Sequence, residues 1–332
     1  MRCAVAGALY RAAPRWFTCG VSDTGTILVT GASGFIGSHV CDALLQAGFT
    51  VRGADNLSTG HAGNLADARQ HPDFSLLTGD LAEPAFCEQA CAGASHVLHL
   101  AAYASVPGSM RDPARCHRDT VTTTINLLHA ARHARATRFV LASAAAVYGE
   151  TPKAPVGEDM ALDPLSPYGA AKAAAEMYVR AFAHDGLDGG SLRLFNVYGA
   201  RQRPDAAYSG VITLFADRLR RGQPVTVFGD GGQTRDYIHV RDIARAFLRA
   251  LTCKEPLRGR AFNIGTGQAI SLLHLADALG RVLGIEPVIE SQPERPGDIR
   301  HSWADTARAR RVLGFSAEVD IAAGLQLTLG QP

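Results

Sequence analysis

Three glycines spaced three apart interrupt a short apolar run near the start of the chain, where Thr26–Gly37 reads TILVTGASGFIG. Few stretches limit a fold so tightly. Ile27, Leu28 and Val29 suit a buried parallel strand. Gly31, Gly34 and Gly37 allow a tight turn, close approach of backbone to a pyrophosphate, and close packing of the next helix on the sheet. That helix, Phe35 to Ala47, aims its N-terminal N–H groups and the positive end of its dipole at the phosphates. Ser33, Phe35 and Ile36 therefore join the glycines as cofactor-binding candidates. A second strand, Phe49–Ala54, follows Gly48 and ends in Asp55, 24 residues after Gly31. An acid there suits the adenosine ribose hydroxyls and opposes a 2′-phosphate, so NAD is favoured over NADP.

The following segment, NLSTGHAGNL, is a polar, turn-rich loop over the cofactor, beginning at Asn56. Phe74–Thr78 reads as a third strand leading to Gly79, Asp80 and Leu81. Asp80 can accept from the adenine amino group or cap a helix. His96–Leu100 reads as a fourth strand, followed by the small residues Ala101 and Ala102, against which a cofactor can lie with Leu100. Residues 113–135 are helical in pattern, and Arg138–Ser143 is a fifth strand. Strands with helical crossovers imply a doubly wound parallel sheet, with ligands at the strands' carboxyl ends. After a Pro- and Gly-rich loop, Tyr168-Gly-Ala-Ala-Lys172 opens a helix that puts Tyr and Lys on one face. A phenol beside a fixed ammonium can serve as a base near neutral pH. Ser143, ending the fifth strand, completes the catalytic candidates. Ser191–Asn196 reads as a sixth strand. Beyond it strands shorten and arginines gather in Gly/Pro-rich loops, a composition suited to a diphosphate.

Composition excludes other classes. At 332 residues the chain is long enough for one large or two smaller domains, and its 47% hydrophobic and 19% charged residues describe a soluble globular protein. A net charge of +2 without basic blocks argues against nucleic-acid or membrane partners. The seven cysteines are scattered, which points to reduced thiols in the cytoplasm, and no metal site is expected. Residues 1–25 read as a disordered extension, too short and broken for a secretory core or membrane span.

Eight motifs carry a resemblance: GASGFIG, DNLSTG, HLAA, ASAAAVYG, SPYGAAK, LRLFNVYG, RDYIHV and RPGD, in this order. Together they resemble the extended short-chain dehydrogenase/reductases, nearest the NAD-dependent sugar-nucleotide epimerases of the UDP-glucose 4-epimerase type. The resemblance runs from Thr26 to the C-terminus. It implies an α/β, Rossmann-like NAD domain over 26–190, with strand 191–196 added to its sheet. A smaller UDP-sugar domain over 197–332 would return some segments to the first. It implies a UDP-sugar substrate, a homodimer joined through two helices per subunit, and NAD as a recycled hydride carrier. Tyr168 would take the proton from the sugar 4-hydroxyl and Lys172 would contact the nicotinamide ribose. Phe195 would lie beside the nicotinamide and Asn196 on the sugar diphosphate. Arg235 and Arg295 would hold the diphosphate, Asp298 the uridine ribose, and Thr226, Val227 and Phe228 the uracil. Ser105, Val106, Ser109 and Val211 would line the sugar side.

The chain departs from that pattern in three places. The family's Ser/Thr four residues before the Tyr of VYG is Ala144, and in an extended strand Ser143 should point the other way. Ala145 and Ala146 stand where related dehydratases carry acids, which disfavours elimination. An Asn common in the helix after the fourth strand is Thr120. For the hexose, GARQRPD is similar to the loop of UDP-glucuronate 4-epimerases, where Arg203 would face a C6 carboxylate or simply the diphosphate or solvent. Ser302 leaves room beside C2 for an N-acetyl group. The expected order is UDP-glucuronate/UDP-galacturonate, then UDP-glucose/UDP-galactose, then the N-acetyl forms. Two rival classes stay open: another NAD-dependent sugar-nucleotide oxidoreductase, and a catalytically weak NAD-binding sensor.

Overall fold

The computed structural model describes residues 25–150, 153–202, 210–294 and 299–330. Its first element, β1 (Thr26–Thr30), shows how the sheet is sandwiched. Ile27 and Val29 face one apolar cluster and Leu28 the other, as a strand covered on both sides requires. The chain continues through α1 (Phe35–Gln46), β2 (Thr50–Asp55), β3 (Phe74–Thr78), α2 (Pro84–Cys91) and β4 (Ala94–His99). Next come α3 (Val106–Arg111), α4 (Pro113–His117), α5 (Thr123–His133), β5 (Arg138–Ala144), α6 (Pro167–His184) and β6 (Asp188–Leu194). The expected single helix over 113–135 is two helices joined by a π-helical turn, Arg118–Thr122. Val106 and Ser109, expected on the sugar side, lie in the short helix α3. Ser105 accepts from Gly108 N at its start and Pro107 sits in its first turn.

The smaller part begins with β7 (Asn196–Tyr198), α7 (Val211–Arg220), β8 (Val225–Phe228), β9 (Thr234–Arg235) and β10 (Tyr237–His239). It continues with α8 (Val240–Thr252), β11 (Ala261–Ile264), β12 (Ile270–Ser271), α9 (Leu272–Leu283), β13 (Ile289–Gln292), β14 (His301–Ser302) and α10 (Ile321–Leu329). Two of these elements serve the large sheet. Its strand order is β11-β6-β5-β4-β1-β2-β3, parallel throughout. The chain therefore leaves the sheet after β6 and returns to close its edge with β11. On the way, α8 buries its apolar face beside α1. The remaining strands form three small sheets around a separate core of Ile212, Phe215, Val225, Val227, Leu275, Leu279 and Leu325.

The sixth strand differs from its expected limits at both ends. It starts at Asp188, because Gly189 and Gly190 lie within it: a Cβ on either would meet Val179 or Leu257 at 2.9 Å. It ends at Leu194, and Asn196 belongs to β7, paired with β10.

Candidate active site

The strand order reverses between β1 and β4, and the crevice at their carboxyl ends is where such sheets bind ligands. Gly31 ends β1 with φ +65°, and its N–H donates to Ala54 O at 2.8 Å. A Cβ there would lie 2.8 Å from Ala101 N, and one on Gly37 would lie 2.0 Å from Gly31 O. The two glycines thus let β4's loop and α1 close on the turn. Gly34 caps α1 without a side chain, and the first turn holds no acid, so the leading N–H groups are left for an anion. Asp55 is buried at the end of β2. Its Oδ2 accepts from Ser33 N (2.8 Å) and its Oδ1 from Leu57 N (2.7 Å), which leaves each oxygen a lone pair for a ribose hydroxyl. Asn56 turns its carbonyl to Ser58 N. Among the described residues, Ser33 Oγ is buried with no hydrogen-bond partner. This donor set fits a dinucleotide.

Beneath Leu100, Ala101 and Ala102 lies a polar network that sequence reading missed. Thr124 donates its hydroxyl to Thr120 O at 2.6 Å, so the 3.1 Å contact from His99 Nε2 to Thr124 must have the ring as donor. His99 Nδ1 then accepts from Thr30 at 2.7 Å, and Thr30 Oγ1 receives Leu100 N (3.1 Å) and Ala101 N (3.2 Å). Burial, with help from the charge of Lys172, lowers His99 to about 3, so the ring is neutral. Thr120 Oγ1 accepts from Tyr103 N at 3.2 Å and pins the same loop from the π-helical turn. The only advance signal was a histidine ending a buried apolar strand. Asp80 does not cap a helix: it pairs with Arg118 at 2.5 Å and accepts from Ala82 N, while Glu83 precedes α2. Leu81 is buried, and its carbonyl receives Cys87 Sγ–H.

On the catalytic side, Ser166 caps α6 and Pro167 begins it, which fixes Tyr168 and Lys172 in its first two turns. Lys172 is buried, and its ammonium donates to Ala142 O on β5 at 2.7 Å. Burial lowers it to about 8, against the opposing charges of Cys116 and Glu176. Tyr168 packs against the small cluster of Cys116, Val121 and Ala171. Ser143, expected among the catalytic groups, donates its hydroxyl to Glu176 Oε1 at 2.5 Å, on the opposite side of the strand from Ala144. Ser109, expected on the sugar side, is engaged as well. Its oxygen takes the N–H of Tyr168 at 3.1 Å and its proton goes to Val106 O, so it secures the start of α6. Ser105 is occupied in capping α3. Phe195 is buried against Val147, Tyr148, Val156 and Ala304.

The smaller part brings several candidates together. Arg235 on β9 faces Ser302 on β14 in register, and its guanidinium donates to Thr234 O. The next residue, Asp236, has no role assigned from the sequence, where it stands as an acid directly before the short run Tyr237-Ile238. It accepts from Thr266 N (2.8 Å), Thr266 Oγ1 (2.6 Å), Gly267 N (2.9 Å) and Ala304 N (3.1 Å). Its carbonyl receives Asn196 N and Nδ2. One buried residue thus ties together the strands bearing Asn196, Arg235 and Ser302, the first through its carbonyl and the last through its carboxylate. Val225, Val227 and Gly229 bond toward β13, which turns Thr226 and Phe228 to the other edge of β8. Phe228 O receives Gln233 Nε2, and the Thr226 hydroxyl is held by Arg218. Val211 opens α7 and packs on that part's core. Arg203, Arg295 and Asp298 lie outside the described residues, as does the expected N-terminal extension. The start of the GARQRPD loop is tied to α1: His39 donates to Ala200 O at 3.0 Å, and Arg201 pairs with Asp42 at 2.8 Å.

A profile of the NAD dependent epimerase/dehydratase family matches residues 27–265. The chain belongs to this family. Its relatives include sugar-nucleotide epimerases. It is 39% identical over 306 residues to a UDP-glucose 4-epimerase of Mycolicibacterium smegmatis, covering 91% of this chain and 96% of that one. It is 33% identical over 316 residues to a UDP-glucuronate 4-epimerase of Thermodesulfobacterium geofontis, covering 92% and 95%. The crystal structure of a Thermotoga maritima UDP-glucose 4-epimerase with UDP-glucose superposes with TM-score 0.84 at 37% identity, covering 92% of this chain and 97% of that one. The chain is an NAD-dependent sugar-nucleotide epimerase with a Rossmann-like parallel sheet. Among the described residues, no helix is long and apolar enough to cross a membrane.

Proposed function

We propose that the protein inverts C4 of a UDP-hexose through a 4-keto intermediate, with UDP-glucuronate the first choice of substrate and UDP-glucose/UDP-galactose the second. The observation that carries the reading is the seating of Tyr168 and Lys172 on one face of α6, with the ammonium fixed on β5 at the carboxyl end of the sheet. Bound NAD supplies hydride acceptance from, and return to, the sugar C4. The Gly31–Gly37 turn and the start of α1 hold its pyrophosphate, Asp55 its ribose, and the Leu100–Ala102 loop its flank. Tyr168 accepts the proton of the 4-hydroxyl and returns it after the keto sugar has turned over. Lys172, charged up to about pH 8, orients the nicotinamide ribose and favours the phenolate. Arg235, Asn196 and the outer edge of β8 take the UDP, and Ser302 beside Arg235 borders the hexose. The preference for a uronate rests on Arg203 in the GARQRPD loop. The α6 face carrying half-exposed Met177 and Tyr178 supports a homodimer, which light scattering checks.

The purified protein is incubated separately with UDP-glucuronate, UDP-glucose and UDP-N-acetylglucosamine, without added NAD, and the products are separated by chromatography. A 4-epimer from the uronate is the expected result. An epimer from only another sugar overturns the substrate, and net NADH production overturns the epimerase chemistry. With Ala144 at the usual hydroxyl position, Ala144→Ser should raise turnover by roughly tenfold, a modest part of what one positioned hydrogen bond contributes. Unchanged turnover, with no epimer from any sugar, favours the sensor reading.

A further inference from the structure

Tyr168 and Lys172 are two members of a series of three. Glu176 stands another four residues on, on the same face of α6, and is 4% exposed. Its carboxylate accepts from Arg193 Nε (3.0 and 3.2 Å), Arg193 Nη2 (2.7 Å) and the hydroxyl of Ser143 (2.5 Å). These donors form a row across the sheet. Ser143 on β5 lies opposite Arg193 on β6, and Arg193 lies opposite Asn263 on β11. Arg193 Nη1 donates to Tyr148 Oη (2.8 Å) and Glu158 O (3.1 Å), and Tyr148 Oη donates to Asn263 Oδ1 (2.6 Å). The guanidinium also lies 4.8 Å over the Tyr148 ring. Each member of the row has partners and is buried.

Stability is a weak reason to keep such a pair. Removing two charges from water costs about as much as their attraction returns, and well-packed apolar replacements are often neutral or better. What an apolar patch does not supply is direction. The fork of Arg193 meets the carboxylate at a defined angle. Consecutive β5 residues then grip consecutive turns of α6: Ala142 through its carbonyl to Lys172, and Ser143 through its hydroxyl to Glu176.

We propose that Glu176, clamped by Arg193 and Ser143, is a positioning residue that sets the rotation of α6 on the sheet and so the seats of Tyr168 and Lys172. The proposal rests on the epimerase reading for its kinetic test, and a second measurement makes it independent of that reading. The double variant Glu176→Met with Arg193→Met removes both charges and leaves neither unpaired. It is compared with wild type and with Ser143→Ala for bound NAD, Tm, kcat and KM on whichever UDP-sugar wild type turns over. The expected result is a double variant that keeps its NAD and a Tm within a few degrees of wild type, with kcat lower by tenfold or more at an unchanged KM. Ser143→Ala should fall two- to threefold in the same manner. Arg193→Lys, which keeps the charge and loses the fork, should recover only part of the loss. A double variant with wild-type kcat overturns the proposal. Amide hydrogen exchange is followed on the same samples. Faster exchange confined to residues 168–176 at preserved Tm supports the clamp, and unchanged exchange there overturns it, even for a wild type silent on every sugar tested. A double variant too unstable to hold NAD shows that the pair serves stability, which also overturns the proposal.

Discussion

The two walls of the crevice are built from different materials. The cofactor wall is backbone: Gly31 and Gly37 within contact of neighbouring main chain, Asp55 held by two N–H groups, and Thr30 gathering two more. The substrate wall is side chain: Arg235, Asn196 and Ser302 on strands of two or three residues, kept in place by one buried residue, Asp236, through its carboxylate and its carbonyl. A backbone wall admits few substitutions and suits a ligand that never varies. A wall of side chains on short strands can change its partner without touching the sheet. The contrast explains how one sheet can serve proteins that take different sugar nucleotides.

The contrast breaks first at its tightest point. Gly37→Ala places a methyl 2.0 Å from Gly31 O, so α1 must back away from the turn. A cost of about 3 kcal/mol or more is expected. The variant should lose its NAD, read as nucleotide released on denaturation, and retention of NAD would refute the packing argument. Tyr168→Phe should lower turnover by about 10³-fold, within the range for one acid–base group, with NAD still bound. Unchanged turnover removes Tyr168 as the base. On the other wall, Arg235→Ala should raise KM for the UDP-sugar by roughly tenfold, the size of one charge-assisted contact, and leave NAD content alone. A loss of NAD instead would show the two walls to be coupled.

The smallest effect sharpens the comparison through stability. Lys172 titrates near 8 in the folded chain and ordinarily near 10.5, so folding opposes its charge. That deficit is full below about pH 8 and fades to nothing as the pH rises toward 10.5, because only the unfolded chain then binds the proton. Lys172→Met should therefore raise Tm at pH 7 by a few degrees, about 1–3 kcal/mol after the lost bond to Ala142 is deducted. The gain should shrink at pH 10 while activity is absent throughout. A lower Tm at pH 7 would show that the ammonium stabilises the fold.

The same division governs what the sequence discloses. Strands β1 and β5 announce themselves as continuous apolar runs bounded by turns, and the glycine spacing names its own ligand. The direction of Ser143 follows from strand alternation alone. By contrast, β9, β12 and β14 are two residues each, too short for any period to register. Gly189 and Gly190 fall outside the expected Ser191–Asn196 strand because the side chains packed on them, Val179 and Leu257, come from other elements. The hydroxyls of Ser105 and Ser109 are suited equally to a sugar and to a helix end, and only the placement of α3 against α6 decides between them. Glu176 and Arg193 are unremarkable apart, and become a pair only when β6 lies beside β5 under α6.

The return of β11 to the large sheet has a consequence in time. As the chain emerges from the ribosome, β6 is complete at Leu194, while its outer neighbour begins at Ala261. At about 5–20 residues per second, several seconds of synthesis separate the two. Throughout that interval β6 is an open edge, and the apolar face that α8 will cover is exposed. The nascent chain must survive its own unfinished sheet before it can bind a nucleotide.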